Sequence, residues 1–318
     1  MAKKHFLVPE NLIRKFPAFR TAVWWLEALI VRMLVRLIRS MSPERAGRLA
    51  SFIFRNLRVL FPFTKKIRNN LAVAFPEKSA AEIERLTRNA CGYLGNVVVE
   101  LVLADRIWTE REQRLEFVTE PGVDIGAYRG RPVIMITGHI GAWQIGLFLA
   151  SYYGLNITSV FAPEENPYLR DFLSDLRAGL RTNFISRDGC MRGLANALKQ
   201  GGLVGMAADT RMDGGDLIPF FGIPAPTNTT AARLAIRYNC DLLPAHVERL
   251  PGMKYRIRIY RPVRPDDPDA SRDEQARQMT QRLLEHFETW IREAPDQWMC
   301  FGRRWPHEVY SANSRTGE

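Results

Sequence analysis

The sequence predicts a mixed α/β sandwich with a mostly parallel sheet, preceded by a basic and apolar N-terminal segment. Two observations carry this. Short apolar runs alternate with amphipathic stretches from about residue 131 onward, and residues 1–60 differ in texture from all that follows. The expected division is a membrane-anchoring segment over 1–60 and one α/β domain over 61–318. With 318 residues, 46% of them hydrophobic and 25% charged, the chain can bury a sizeable core. That excludes disordered, collagen-like and disulfide-stapled classes.

The N-terminal segment holds twelve basic residues (Lys3, Lys4, Arg14, Lys15, Arg20, Arg32, Arg36, Arg39, Arg45, Arg48, Arg55 and Arg58). Only Glu10, Glu27 and Glu44 oppose them. Among them lie Val23-Trp24-Trp25-Leu26, Leu29-Ile30-Val31 and Met33-Leu34-Val35. A spanning helix needs about 20 apolar residues, and Glu27, Arg32 and Arg36 interrupt before that length is reached. Arg32, Arg36 and Arg39 share one helical stripe, so the segment reads as a helix lying in a membrane interface, with a core-packing helix as the alternative. No small-residue cleavage site follows it.

Ser79-Ala-Ala-Glu82 is a capping box that opens a helix over about 79–104. Strands are expected at 132–137, 157–161, 183–186, 203–208, 241–247 and 255–260. Helices are expected at 142–153, 167–180, 191–199, 230–238 and 272–293. The four cysteines lie far apart with no CxxC, which points to a reducing compartment and no zinc site.

The sharpest chemical feature is Thr137-Gly138-His139-Ile140-Gly141-Ala142-Trp143-Gln144, where an apolar strand turns directly into a helix. In open α/β sheets ligands bind beyond strand carboxyl ends, and helix N-terminal N–H groups there favour negative charge. A histidine so placed suits a general base. His5, His246, His286 and His307 have no such setting. Asp209 follows another strand and can orient a ligand or His139, or simply open the turn 209–215.

A set of motifs in order resembles the lipid A biosynthesis acyltransferases (lauroyl and myristoyl transferases), relatives of the phosphatidylinositol mannoside acyltransferases. These are Arg68-Asn69-Asn70-Leu71, Phe75-Pro76-Glu77, Gly138-His139-Ile140-Gly141-Ala142-Trp143, Asn166-Pro167-Tyr168-Leu169 and Arg187-Asp188-Gly189-x-x-Arg192. Gly201-Gly202 with Asp209, Pro219-Phe220-Phe221-Gly222 with Thr227, and Arg303-Arg304-Trp305 complete the set. The resemblance implies a glycerolipid-acyltransferase-like fold and no cofactor or metal. It also implies transfer of a fatty acyl chain from an acyl carrier protein or acyl-CoA thioester to a lipid or glycolipid hydroxyl, at the cytoplasmic face of the inner membrane. His139 would act as base without an acyl-enzyme, and no G-x-S-x-G elbow is present. Backbone N–H groups after Gly141 would meet the oxyanion. Gly138, Gly141, Arg187, Arg192 and Thr227 would contact substrate, the arginines at a phosphate or at phosphopantetheine.

One position departs from the resemblance. The family motif is H-x4-D/E, and here the fifth position after His139 is Gln144. Three readings stay open: an inactivating replacement, a natural enzyme in which Asp209 or another carboxylate substitutes, or a homologue that keeps only lipid or carrier binding. The net charge of +11 suits an acidic carrier protein. Nucleic-acid binding is disfavoured because the basic residues sit beside Trp and Leu with no aromatic RNA-binding strand. No H-E-x-x-H motif supports a metallohydrolase.

Overall fold

The computed structural model describes residues 17–313, so Lys3, Lys4, His5, Glu10, Arg14 and Lys15 lie outside the described residues. Seven strands form one sheet: β1 (Leu115–Thr119), β2 (Val133–Thr137), β3 (Ile157–Phe161), β4 (Asn183–Ser186), β5 (Leu203–Ala207), then β8 (Asp241–Leu250) and β9 (Lys254–Ile259). A separate antiparallel hairpin is made by β6 (Arg211–Phe220) and β7 (Ile223–Thr227). The sheet order is β1-β9-β8-β2-β5-β3-β4, and every pair is parallel except β8–β9. This is the expected mixed, mostly parallel sheet.

Successive side chains of a strand point to opposite faces, and β2 shows why both faces are covered. Ile134 and Ile136 enter one buried cluster with Leu71, Leu194 and Phe287, while Val133 and Met135 enter another with Val99, Phe148 and Leu176. Helices therefore flank the sheet on both sides. The capping box forms as expected, with the Ser79 hydroxyl accepting from Glu82 N–H and the Glu82 carboxylate accepting from Ser79 N–H. The Thr230–Tyr238 and Arg272–Glu293 helices have the expected bounds.

The N-terminal segment packs onto this body. Val35 and Ala46, from the Pro17–Arg39 and Pro43–Asn56 helices, join the same buried cluster as Met135. The second of these helices lies so close to the Ala80–Val102 helix that a Cβ on Gly95 would stand 2.5 Å from Ala50 O. Among the described residues no helix is long and apolar enough to cross a membrane.

The Pro17–Arg39 helix buries one carboxylate and leaves much of its apolar surface exposed. Glu27 and Ala28 are buried, Arg32 donates to Tyr168 O and stacks on Phe172, and Arg39 reaches Val102 O. Its outer face instead shows Trp25, Leu29, Met33 and Leu37, one every fourth residue. All three arginines of the stripe stay exposed, with Arg32 and Arg39 also touching the body.

Candidate active site

Parallel register builds the site. Thr137 of β2 is paired with Ala207 of β5, and His139 and Asp209 each stand two residues beyond those partners. Side chains seventy residues apart in sequence are thereby brought to the same strand ends, with His139 Nδ1 2.8 Å from Asp209 Oδ1. The second carboxylate oxygen accepts from the indole Nε1–H of Trp298 at 3.1 Å. Asp209 is fully buried, while the His139 side chain keeps 29% of its surface exposed.

Two glycines make the turn possible. A Cβ on Gly138 would come within 2.8 Å of Ile140 and 3.2 Å of the Asp209 Cβ. Gly141 has φ +63°, and a Cβ there would stand 2.1 Å from Val247 O. The residues after it form a 3₁₀ turn, Trp143–Leu147, before the short Phe148–Tyr153 helix, in place of the single helix expected over 142–153. The C-terminal strap backs the turn: Met299 N–H donates to His139 O at 2.7 Å and Gly141 N–H donates to Gln297 O.

Electrostatics separate His139 from His246 and His286. Burial acts most strongly and pulls its pKa down, but the Asp209 charge and hydrogen bond together outweigh it, leaving the pKa raised above 6.5. Asp209 is likewise driven up by burial and pulled further down by His139 and Trp298, so its pKa lies below 3.8. His246, stacked on Trp290, is lowered by burial to about 4, and His286 is also lowered by burial. Neither of those lines the cavity described next.

His139 stands on the wall of a cavity of about 650 Å³ that opens beyond the carboxyl ends of β2, β3, β4 and β5. Its inner wall is apolar, with Met135, Leu147, Ile157, Phe161, Phe184 and Val247, and its polar members include Thr210, Asn228 and Arg187. This is the size and lining of a small-molecule pocket.

The sequence-predicted residues divide. Asp209 meets His139. Gln144 lines the cavity, half-buried, and its amide makes no hydrogen bond to a described residue. Arg187 is exposed at the cavity wall, whereas Arg192 is exposed on the Cys190–Lys199 helix outside the lining. Gly138, Gly141 and Thr227 do not line the cavity. The glycines close the turn, and the buried Thr227 hydroxyl accepts from Arg304 at 2.8 Å and donates to Ala225 O. The expected oxyanion donors narrow as well. The N–H groups of Gly141 and Ala142 are already given to Gln297 O and Val247 O, so only those of Trp143 and Gln144 remain uncommitted at the start of the turn. Trp298 was not anticipated, because no periodicity or motif marks an indole whose partner lies across the fold.

A neutral imidazole with one nitrogen fixed by a buried carboxylate and the other nitrogen free can take a proton from a hydroxyl. Among the described residues no cluster of His, Cys, Asp and Glu is arranged to hold a metal ion. Fold and site together have the form of an α/β enzyme, with a His–Asp pair suited to proton transfer at parallel strand ends beside an apolar cavity. The model of the bacterial lipid A biosynthesis acyltransferase family matches residues 13–307, nearly the whole chain, and the protein belongs to that family and is an acyltransferase. A search of curated proteins returns no match.

Proposed function

We propose that the enzyme moves a fatty acyl chain from an acyl carrier protein or coenzyme A thioester to a hydroxyl of a lipid A precursor or related glycolipid. His139 Nε2 takes the proton of the acceptor hydroxyl as its oxygen bonds to the thioester carbonyl carbon. The tetrahedral intermediate then collapses, the carbon–sulfur bond breaks, and the departing thiolate takes the proton from the imidazolium. Asp209 fixes the tautomer and offsets the transient positive charge. The uncommitted N–H groups of Trp143 and Gln144 are the donors for the oxyanion. The apolar cavity receives the acyl chain, and Arg187 at its wall attracts the phosphate of the donor or acceptor.

The observation that carries this reading is the 2.8 Å His139–Asp209 contact on the wall of the apolar cavity. It also favours an active enzyme over a mere binder, because a carboxylate is present although position 144 is an amide. Membrane association is supported by the outward apolar face. Trp25, Leu34, Phe52, Val59 and Leu60 are between 52% and 79% exposed, in a segment whose exposed arginines suit anionic headgroups.

The test is acyl transfer by the purified protein to lipid A precursors, with carrier-protein and coenzyme A donors run in parallel. His139→Ala and Asp209→Asn should each lower turnover by about 10²–10⁴-fold with folding intact. Undiminished transfer in His139→Ala sinks the proposed base.

A further inference from the structure

A second cavity, of about 560 Å³, shares no lining residue with the first. One wall is the Pro43–Asn56 helix, which presents Arg48, Ser51, Phe52 and Arg55 on one face at three- and four-residue spacing. Opposite stand Tyr93 and Asn96, and the turn 250–253 closes the end.

The charge in this cleft is unevenly spent. Arg249 is buried and paired with Glu100 at 2.7 Å, and it also donates to Gln297 and to Gly141 O. Glu44 is paired with Arg114 at 2.8 Å. Arg48 and Arg55 have no acidic partner among the described residues, and Ser51, Tyr93 and Asn96 make no side-chain hydrogen bond to one either. Arg55 lies across Gly92, where a Cβ would stand 3.2 Å from its Nε, and that Nε is enclosed with no hydrogen-bond partner. A guanidinium nitrogen left unmatched is costly, so Arg55 gains from any acceptor its side chain can turn to meet. Two uncompensated guanidinium forks with hydroxyl and amide donors around them match the oxygens of a phosphate group. Phe52 is itself in the wall and 65% exposed, and Leu49 and Ile53 are exposed on the same helix.

We propose that this cleft is a binding site for the headgroup of a net-anionic bilayer phospholipid, with Arg48 and Arg55 on the phosphate and Phe52 against the lipid. The choice of lipid over free phosphate comes from that apolar rim. It rests on the membrane-associated reading above.

The test uses the full chain and flotation with phosphatidylcholine vesicles, with and without phosphatidylglycerol. The R48Q/R55Q protein is compared with R45Q/R88Q, which loses the same charge from exposed arginines outside the cleft. The exposed single variant R48Q guards against a folding defect at Arg55. The phosphatidylglycerol-dependent gain in binding should fall about tenfold further in R48Q/R55Q than in R45Q/R88Q, with R48Q between. Equal losses in the two double variants mean diffuse surface charge and overturn the site. Inorganic phosphate is the remaining arm. If it raises the melting temperature of the wild type and of R45Q/R88Q but not of R48Q/R55Q, while both double variants bind vesicles alike, the cleft holds free phosphate and the lipid assignment falls. Binding of the wild type to phosphatidylcholine alone reports on the apolar face, so failure there sinks the membrane reading and leaves the anionic arm to decide the cleft.

Discussion

Trp298 and His139 hold Asp209 from different oxygens: the indole N–H donates to Oδ2 at 3.1 Å while Oδ1 meets the imidazole at 2.8 Å. The same stretch of chain that supplies the indole also pairs with the turn beneath His139, through Met299 N–H on His139 O. Residues outside the cavity lining thus set both the position and the charge balance of the proposed base.

Removing the indole donor should shift the pH profile upward. Trp298→Phe keeps most of the aromatic volume but leaves a buried carboxylate oxygen unmatched, at a cost of about 2 kcal/mol. The N–H dipole also disfavours a positive charge on His139, so its loss raises the His139 pKa. The acid limb of kcat/KM should move to higher pH, with a reduced plateau. A lower plateau with the limb unmoved would make Trp298 a packing residue only.

The pH dependence of the wild type follows from His139 itself. As base it must be neutral, and its pKa is raised above 6.5, so kcat/KM should climb with pH to a midpoint above that value. The stability sign is opposite: the pair's contribution through His139 is fully present below 6.5 and is lost as pH rises through the raised pKa. Through Asp209 it is present above 3.8 and lost as pH falls through the depressed value. In Asp209→Asn the burial of His139 acts unopposed, so the remaining activity should show its acid limb below 6.5. Opposite shifts in Trp298→Phe and Asp209→Asn are the signature to seek in pH–rate profiles.

Gln144 should tolerate what Asp209 does not. A carboxylate already engages His139, so Gln144→Glu is expected to change turnover at neutral pH by less than about tenfold, against the 10²–10⁴-fold loss in Asp209→Asn. The added charge in the cavity should raise the His139 pKa further. A gain of several orders of magnitude in Gln144→Glu would show that position 144, not Asp209, is the orienting carboxylate.

How much of this was legible beforehand can be argued residue by residue. The β2 strand and the His139 turn were readable because an apolar run ends abruptly in Gly138-His139-Ile140-Gly141. The contact with Asp209 was open only as a possibility, since it depends on β2 and β5 being neighbours in register, which no local pattern encodes. The β6–β7 hairpin escaped because Asp213, Gly214 and Gly215 read as a turn, and the ladder indeed breaks between Arg211 and Asp216. The edge strand β1 escaped because Leu115–Thr119 is short and only partly buried. The role of Asn70 lay hidden within a recognisable motif.

Asn70 joins the N-terminal half of the molecule to the strap behind the site, and its loss should be felt in both. It is fully buried on the Thr64–Ala74 helix. Its amide donates to Cys300 O at 3.1 Å and Gly302 O at 2.7 Å, and its carbonyl accepts from Arg304 N–H and from the Tyr310 hydroxyl. Asn70→Ala orphans these groups where water does not reach, a cost of about 3 kcal/mol or more. A chain of this size should then melt roughly 5–10 °C lower. The strap also carries Trp298 and Met299, so kcat measured well below the new melting temperature should fall too, with KM for the donor changed less. Asn70→Asp should be as damaging, because a carboxylate would face the carbonyls of Cys300 and Gly302. An Asn70→Ala protein that melts like the wild type would show that the strap is held by its aromatic packing, Trp298 and Trp305 against Phe220, and not by the amide.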